Sequence, residues 1–123
     1  YHRGIIYFVT KGDNRVWMYD IPQQELSIIY SSSQYRSPVL TGVDNIIANQ
    51  AGELLIAEDG GDMQIVVLVA NKVFPLLQLV GHERSEIAGP ALSPDGKRLY
   101  FSSQRGSSGY NDGGITYEVT GPF

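Results

Sequence analysis

The sequence predicts an all-β chain assembled from a repeated unit of short strands. Fourteen glycines and six prolines punctuate short apolar runs along the 123 residues, the spacing of many tight turns rather than of long helices. A hydrophobic fraction of 42% is enough to build a core. A turn residue followed by a strongly β-prone run also recurs: Gly4-Ile-Ile-Tyr-Phe-Val-Thr10, Glu53-Leu-Leu-Ile-Ala-Glu-Asp59 and Arg98-Leu-Tyr-Phe-Ser-Ser-Gln104. With Ile5, Leu54 and Leu99 taken as equivalent, the offsets are 49 and 45 residues.

In the first two copies a second β run follows, at Arg15-Val-Trp-Met-Tyr-Asp20 and Gln64-Ile-Val-Val-Leu-Val69, across Lys-Gly-Asp-Asn and Gly-Gly-Asp-Met turns. The third copy delays it to Ile115-Thr-Tyr-Glu-Val119, because the polar, glycine-rich stretch 105–114 intervenes and reads as a loop. Further strands are expected at Leu26–Tyr30 and Val73–Val80 after these runs, and at Asn45–Ala48 and Pro90–Ser93 before the second and third copies. Ala51-Gly52 and Ser93-Pro94-Asp95-Gly96 fall where hairpin turns are needed. Four short strands per repeat make a blade, so the expected fold is a β-propeller, about two to three blades of a larger ring, with repeats at 1–40, 41–84 and 85–123. A blade buries its apolar faces only against its neighbours, so the remaining blades of the same propeller are expected partners.

Nine Lys and Arg stand against thirteen Asp and Glu, a net charge of −4, and no basic run offers a footprint for phosphates, which argues against nucleic acid. The longest apolar-rich stretch, Ile65 to Val80, is broken by Asn71, Lys72, Pro75 and Gln78, so no membrane-spanning helix is expected. No cysteine is present, which leaves redox compartment unread. The abrupt start at Tyr1-His2-Arg3 reads as that of a fragment or a processed product.

The residues most able to carry chemistry are acidic. Gly42-Val-Asp44-Asn45 and Ala57-Glu58-Asp59-Gly-Gly-Asp62 flank the second inner strands, and Glu86, after His82-Glu83-Arg84-Ser85, precedes the third as a counterpart of Asp44. If the inner strands converge, Asp44, Glu58 and Glu86 form a candidate set for a hard cation such as calcium. The competing reading makes Asp44 and Asn45 turn caps and leaves Glu58 and Asp59 at a solvated strand end. Arg105 is a candidate anion holder, or a surface partner of Asp112. Two histidines are too few for a His-rich transition-metal site, and no nucleophile elbow, catalytic triad order or phosphate-cradling glycine loop is present. Trp17 and Tyr19 alternate along a strand as packing residues do.

Thr10-Lys-Gly-Asp-Asn-Arg-Val-Trp17, Gly42-Val-Asp-Asn45, Ala57-Glu-Asp-Gly-Gly61, Glu86-Ile-Ala-Gly-Pro90, Ser93-Pro-Asp-Gly96 and Tyr117-Glu-Val-Thr-Gly-Pro-Phe123 together resemble the C-terminal portion of the PhoX-like alkaline phosphatase family. The resemblance implies a secreted or periplasmic, calcium-dependent propeller that hydrolyses phosphate monoesters, with calcium and iron in its central tunnel and a small phosphorylated substrate. This chain has Ala57-Glu58-Asp59-Gly60 where the better-known phosphatases tend to have Gln-Thr-Asp-Gly, and ligands from earlier blades lie outside it.

Two rivals come from other classes. Gly42-Val-Asp-Asn45 with Gly52-Glu-Leu-Leu-Ile-Ala57 is similar to calcium-dependent lactonase propellers. Leu92-Ser-Pro-Asp-Gly-Lys-Arg-Leu-Tyr-Phe-Ser-Ser-Gln-Arg-Gly106 resembles the TolB-type repeat of non-catalytic, protein-binding propellers.

Overall fold

A computed structural model describes residues 1–123. Ten strands follow one another with no α-helix between them: β1 (Ile5–Thr10), β2 (Arg15–Asp20), β3 (Glu25–Ser31), β4 (Val43–Ala48), β5 (Leu54–Glu58), β6 (Gln64–Val69), β7 (Lys72–Gln78), β8 (Ile87–Leu92), β9 (Arg98–Ser103) and β10 (Ile115–Thr120). They form three antiparallel sheets in the orders β1-β2-β3, β4-β5-β6-β7 and β8-β9-β10, which do not close on one another. The all-β expectation holds.

Each sheet is a run of sequential hairpins, and its turns have local causes. Between β4 and β5 the Asn49 side chain accepts from the Glu53 amide at 2.9 Å and donates to the Glu53 carboxylate at 2.7 Å, clamping the reversal. Between β8 and β9, Ser93 Oγ accepts from the Arg98 amide at 2.9 Å, and the Gly96 amide donates to the Ser93 carbonyl at 2.9 Å. Both are the turns marked by Ala51-Gly52 and Ser93–Gly96. Residues 105–114 connect β9 to β10 as a loop, as their composition predicts.

The second sheet lies between the other two. Its face toward the first sheet contributes Val43, Leu54, Ile56, Val66 and Leu68 to a core completed by Val16, Tyr30 and Leu40. Its other face contributes Leu55, Ala57 and Ile65 to a second core with Met63, Ile87, Leu99 and Phe101. All five residues of β5 are therefore buried, as in a strand covered on both faces.

The two outermost faces differ in chemistry. The first sheet leaves Ile6, Phe8, Leu26 and Ile28 between 37% and 56% exposed, with Phe8 stacked on Trp17 at 6.0 Å. The third sheet turns outward a polar face in which Ser102 and Thr116 hydrogen-bond at 2.9 Å and Arg98 pairs with Glu118 at 3.7 Å.

Candidate functional site

Side chains from all three sheets meet at the ends of β1, β5 and β9. The 3₁₀ turn Lys11–Asp13, closed by Asn14 in the left-handed conformation at φ 49°, delivers Lys11 from the first sheet. The second sheet brings Asp44 and Asp59, and the third brings Glu86 and Arg105. Asp44, Asp59 and Glu86 each place a carboxylate oxygen within 4.8 Å of the other two, and all three are partly buried.

Backbone irregularities aim these groups. β4 pairs Val43 with Glu58 and then Asn45 with Ala57, so Asp44 is the extra, unpaired residue of a bulge. Bulges of this kind redirect one side chain out of the regular alternation. Asp59 is the first residue past β5, and its amide donates to the Gly42 carbonyl at 2.8 Å. Gly42 has φ +61°, and a Cβ there would lie 2.8 Å from the Asp59 carbonyl oxygen. Only glycine permits that approach without displacing Asp59. The Gln104 amide donates to the Glu86 carbonyl at 2.9 Å in the same way that Asp59 reaches Gly42. Glu86 therefore occupies the place of Gly42, two residues earlier than the place of Asp44. The two acids converge by different routes.

Two cations accompany the three acids. Lys11 Nζ lies 2.6 Å from Asp59 Oδ2 and 3.3 Å from Asp44 Oδ1. The Arg105 guanidinium lies 3.5 Å from Glu86 Oε1, and this carboxylate, rather than Asp112, is its ion-pair partner. The Lys11 hydrogen bond holds Asp59 below the ordinary aspartate range, and the same bond raises Lys11. Desolvation, followed by the neighbouring Asp59, pushes Glu86 up. The pair is thus divided into a firmly ionised Asp59 and a more readily protonated Glu86.

Glu58 is placed elsewhere. It is fully buried inside β5, where Oε1 accepts from the Thr41 amide at 2.9 Å and Oε2 from the Gln64 amide at 3.1 Å. Burial raises its pKa against the opposing pull of those two bonds. Both oxygens are therefore committed, one to the segment before β4 and the other to the start of β6. The structure brings together Asp44 and Glu86 of the sequence-derived set, and it adds Asp59 and Lys11.

The third sheet has an uncharged version of the Glu58 anchor. Buried Ser103 donates to Ser85 Oγ at 2.9 Å and meets His82 Nδ1 at 2.8 Å, while the Tyr117 hydroxyl lies 3.4 Å from the other ring nitrogen. The hydroxyls of Ser85 and Ser103 are enclosed, so this Ser–His pair ties the preceding loop to β9 and offers a substrate no nucleophile. The largest cavity, about 310 Å³, is lined by Tyr30, Tyr35, Val39 and Phe74 among others and shares no residue with the acidic cluster. Comparisons with protein-family models, curated proteins and solved structures yield no match.

Proposed function

We propose that the three sheets are consecutive blades of a β-propeller and that Asp44, Asp59 and Glu86 are this chain's share of a calcium site in a phosphomonoester hydrolase. The observation that carries the metal reading is the meeting of three carboxylates, one from a bulge, one from a strand end and one from a loop, within 4.8 Å. Oxygen ligands on one calcium ion lie at about 2.3–2.6 Å from it, so donors across the ion are separated by up to about 5 Å. The donor set is hard and anionic, which suits calcium. His82 is engaged with Ser103 and Tyr117 and offers no nitrogen to this cluster, so iron rests on the family resemblance alone.

The propeller reading is supported by the sequential order of strands within each sheet and by the apolar outer face at Ile6, Phe8, Leu26 and Ile28, which suits a further blade. A bound calcium ion would polarise a phosphoryl oxygen and stabilise its developing charge. In this chain Asp44, Asp59 and Glu86 would hold the ion and Glu58 would fix the segment carrying Gly42. Arg105 would reach an anionic group once its contact with Glu86 relaxes. The phosphatase activity, the small phosphorylated substrate and a secreted or periplasmic setting follow from the resemblance at Gly42–Asn45 and Ala57–Gly61.

A second reading is favoured by Lys11 and Arg105. They already compensate the acids, making the cluster a latch across three sheets, as suits a non-catalytic, protein-binding propeller of the TolB type. Assays of the complete protein with a chromogenic phosphate ester and with a lactone, each with and without chelator, separate the readings. Chelator-sensitive phosphate release supports the hydrolase, chelator-sensitive lactone opening transfers the site to the lactonase class, and inactivity on both favours the latch.

A further inference from the structure

We infer that Tyr30 is a positioning residue for Asp44: from the first sheet, its hydroxyl holds the backbone that delivers this carboxylate to the acidic cluster. As far as affinity for calcium is concerned, this role rests on the reading of Asp44, Asp59 and Glu86 as ion ligands. The backbone in question is the segment 40–43, which leads directly into the bulge at Asp44.

Two peptide groups of this segment are each held at both ends, and in each the two holders come from different sheets. The carbonyl of Leu40 and the amide of Thr41 belong to one planar peptide group. Tyr30 of β3 donates its hydroxyl to that carbonyl at 2.7 Å, and Glu58 of β5 accepts from that amide at 2.9 Å. The carbonyl of Gly42 and the amide of Val43 belong to the next peptide group but one. The Asp59 amide donates to the Gly42 carbonyl at 2.8 Å, and Asn14 Oδ1, from the turn between β1 and β2, accepts from the Val43 amide at 3.3 Å. Because a peptide group is planar, fixing both ends stops it from rotating about its long axis. The torsions at Thr41 and Gly42 are set between the two fixed planes, and Asp44 leaves the segment in one direction.

Tyr30 is the holder that can be cut most selectively. Its side chain is buried in the first core and its ring stacks on Tyr35 at 5.5 Å, so the ring is kept in place by contacts that do not involve the hydroxyl. Leu40 is fully buried, so its carbonyl, deprived of Tyr30, reaches another donor only if the peptide group rotates. That rotation draws the Thr41 amide off Glu58 and is passed through Gly42 to the second fixed plane. The other side-chain holders are less separable: Glu58 is a buried acid inside β5, and Asn14 closes the turn that carries Lys11.

The test compares Tyr30→Phe with the parent chain and with Leu68→Ala, which opens a void in the same core beside Leu54, at the end of β5 away from Glu58. Amide hydrogen exchange is followed without calcium at Thr41 and Asp59, relative to Ile56 in the centre of β5, whose amide carries any general loss of stability. In Tyr30→Phe this relative exchange is expected to rise about fivefold, and calcium affinity by titration calorimetry to fall about fivefold, the scale of one lost hydrogen bond. Leu68→Ala is expected to keep the parent's values of both while unfolding at lower urea. Faster relative exchange in Tyr30→Phe when the parent binds no calcium would keep Tyr30 as the holder of Asp44 and remove the calcium reading. Unchanged relative exchange at Thr41 and Asp59, or a calcium affinity equal to that of a calcium-binding parent, would overturn the inference.

Discussion

Lys11 Nζ sits 2.6 Å from Asp59 Oδ2, linking the first sheet to the second across 48 residues of sequence. The ammonium occupies space beside two of the three carboxylates proposed to hold calcium, so lysine and metal compete for the same charge. Lys11→Met is expected to tighten calcium binding roughly two- to fivefold, the range corresponding to an exposed ion pair worth up to ~1 kcal/mol. Titration calorimetry of the variant against the parent reads this directly, and unchanged affinity would show that Lys11 does not share the site.

Calcium binding should weaken with acidity in a manner set by Glu86. Its pKa is raised, chiefly by desolvation, so it is the carboxylate that protonates first as pH falls. Affinity should fall toward a limit of about tenfold per pH unit once Glu86 takes up its proton. Glu86→Gln should remove this component at the cost of weaker binding near neutrality. An identical pH slope in the variant would assign the proton to another group.

Stability should follow the same groups with opposing signs. Glu58 and Glu86 have raised pKa values in the folded state, so the folded chain binds their protons more tightly and gains stability as pH falls from neutrality through those values. Asp59 is lowered by Lys11; its contribution is present above the unfolded value and is lost as pH falls through its folded one. Urea midpoints are therefore expected to rise on mild acidification and then fall. A monotonic decline from neutral pH would contradict the burial assigned to Glu58.

Glu58→Ala leaves the Thr41 and Gln64 amides without their acceptor and opens a void inside β5. A loss of about 2–4 kcal/mol is expected in denaturant unfolding, in line with the cost of stranding buried donors. Gly42→Ala places a methyl group against the Asp59 carbonyl in a left-handed conformation and is expected to cost about 1–3 kcal/mol. A neutral outcome for Gly42→Ala would show that the turn before β4 can reopen without moving Asp59.

Strands and turns were legible because their signals are local. Ala51-Gly52 and Ser93-Pro-Asp-Gly96 mark reversals by their own backbone preferences, and Arg15–Asp20 and Gln64–Val69 stand in the structure with the bounds read from sequence. The site was legible in part. Asp44 and Glu86 lie together with Asp59, whereas Glu58 is turned into the sheet: one residue separates a strand interior from its rim, and no composition rule fixes where β5 ends. The signal available was the unbroken run Leu54-Leu-Ile-Ala57, which implies cover on both faces and makes Asp59 the first acid free to face outward. Lys11 was hidden because its partners lie on another sheet, and the bulge that aims Asp44 is a property of pairing with β5.

The most direct measurement is calcium titration by calorimetry on the parent chain and on Asp44→Asn, Asp59→Asn, Glu86→Gln and Glu58→Gln. The account predicts one calcium ion per chain, with binding reduced at least tenfold by each of the first three substitutions and retained in folded Glu58→Gln. No binding to the parent chain, or binding indifferent to Asp44, Asp59 and Glu86, would contradict it and leave the cluster as a latch closed by Lys11 and Arg105.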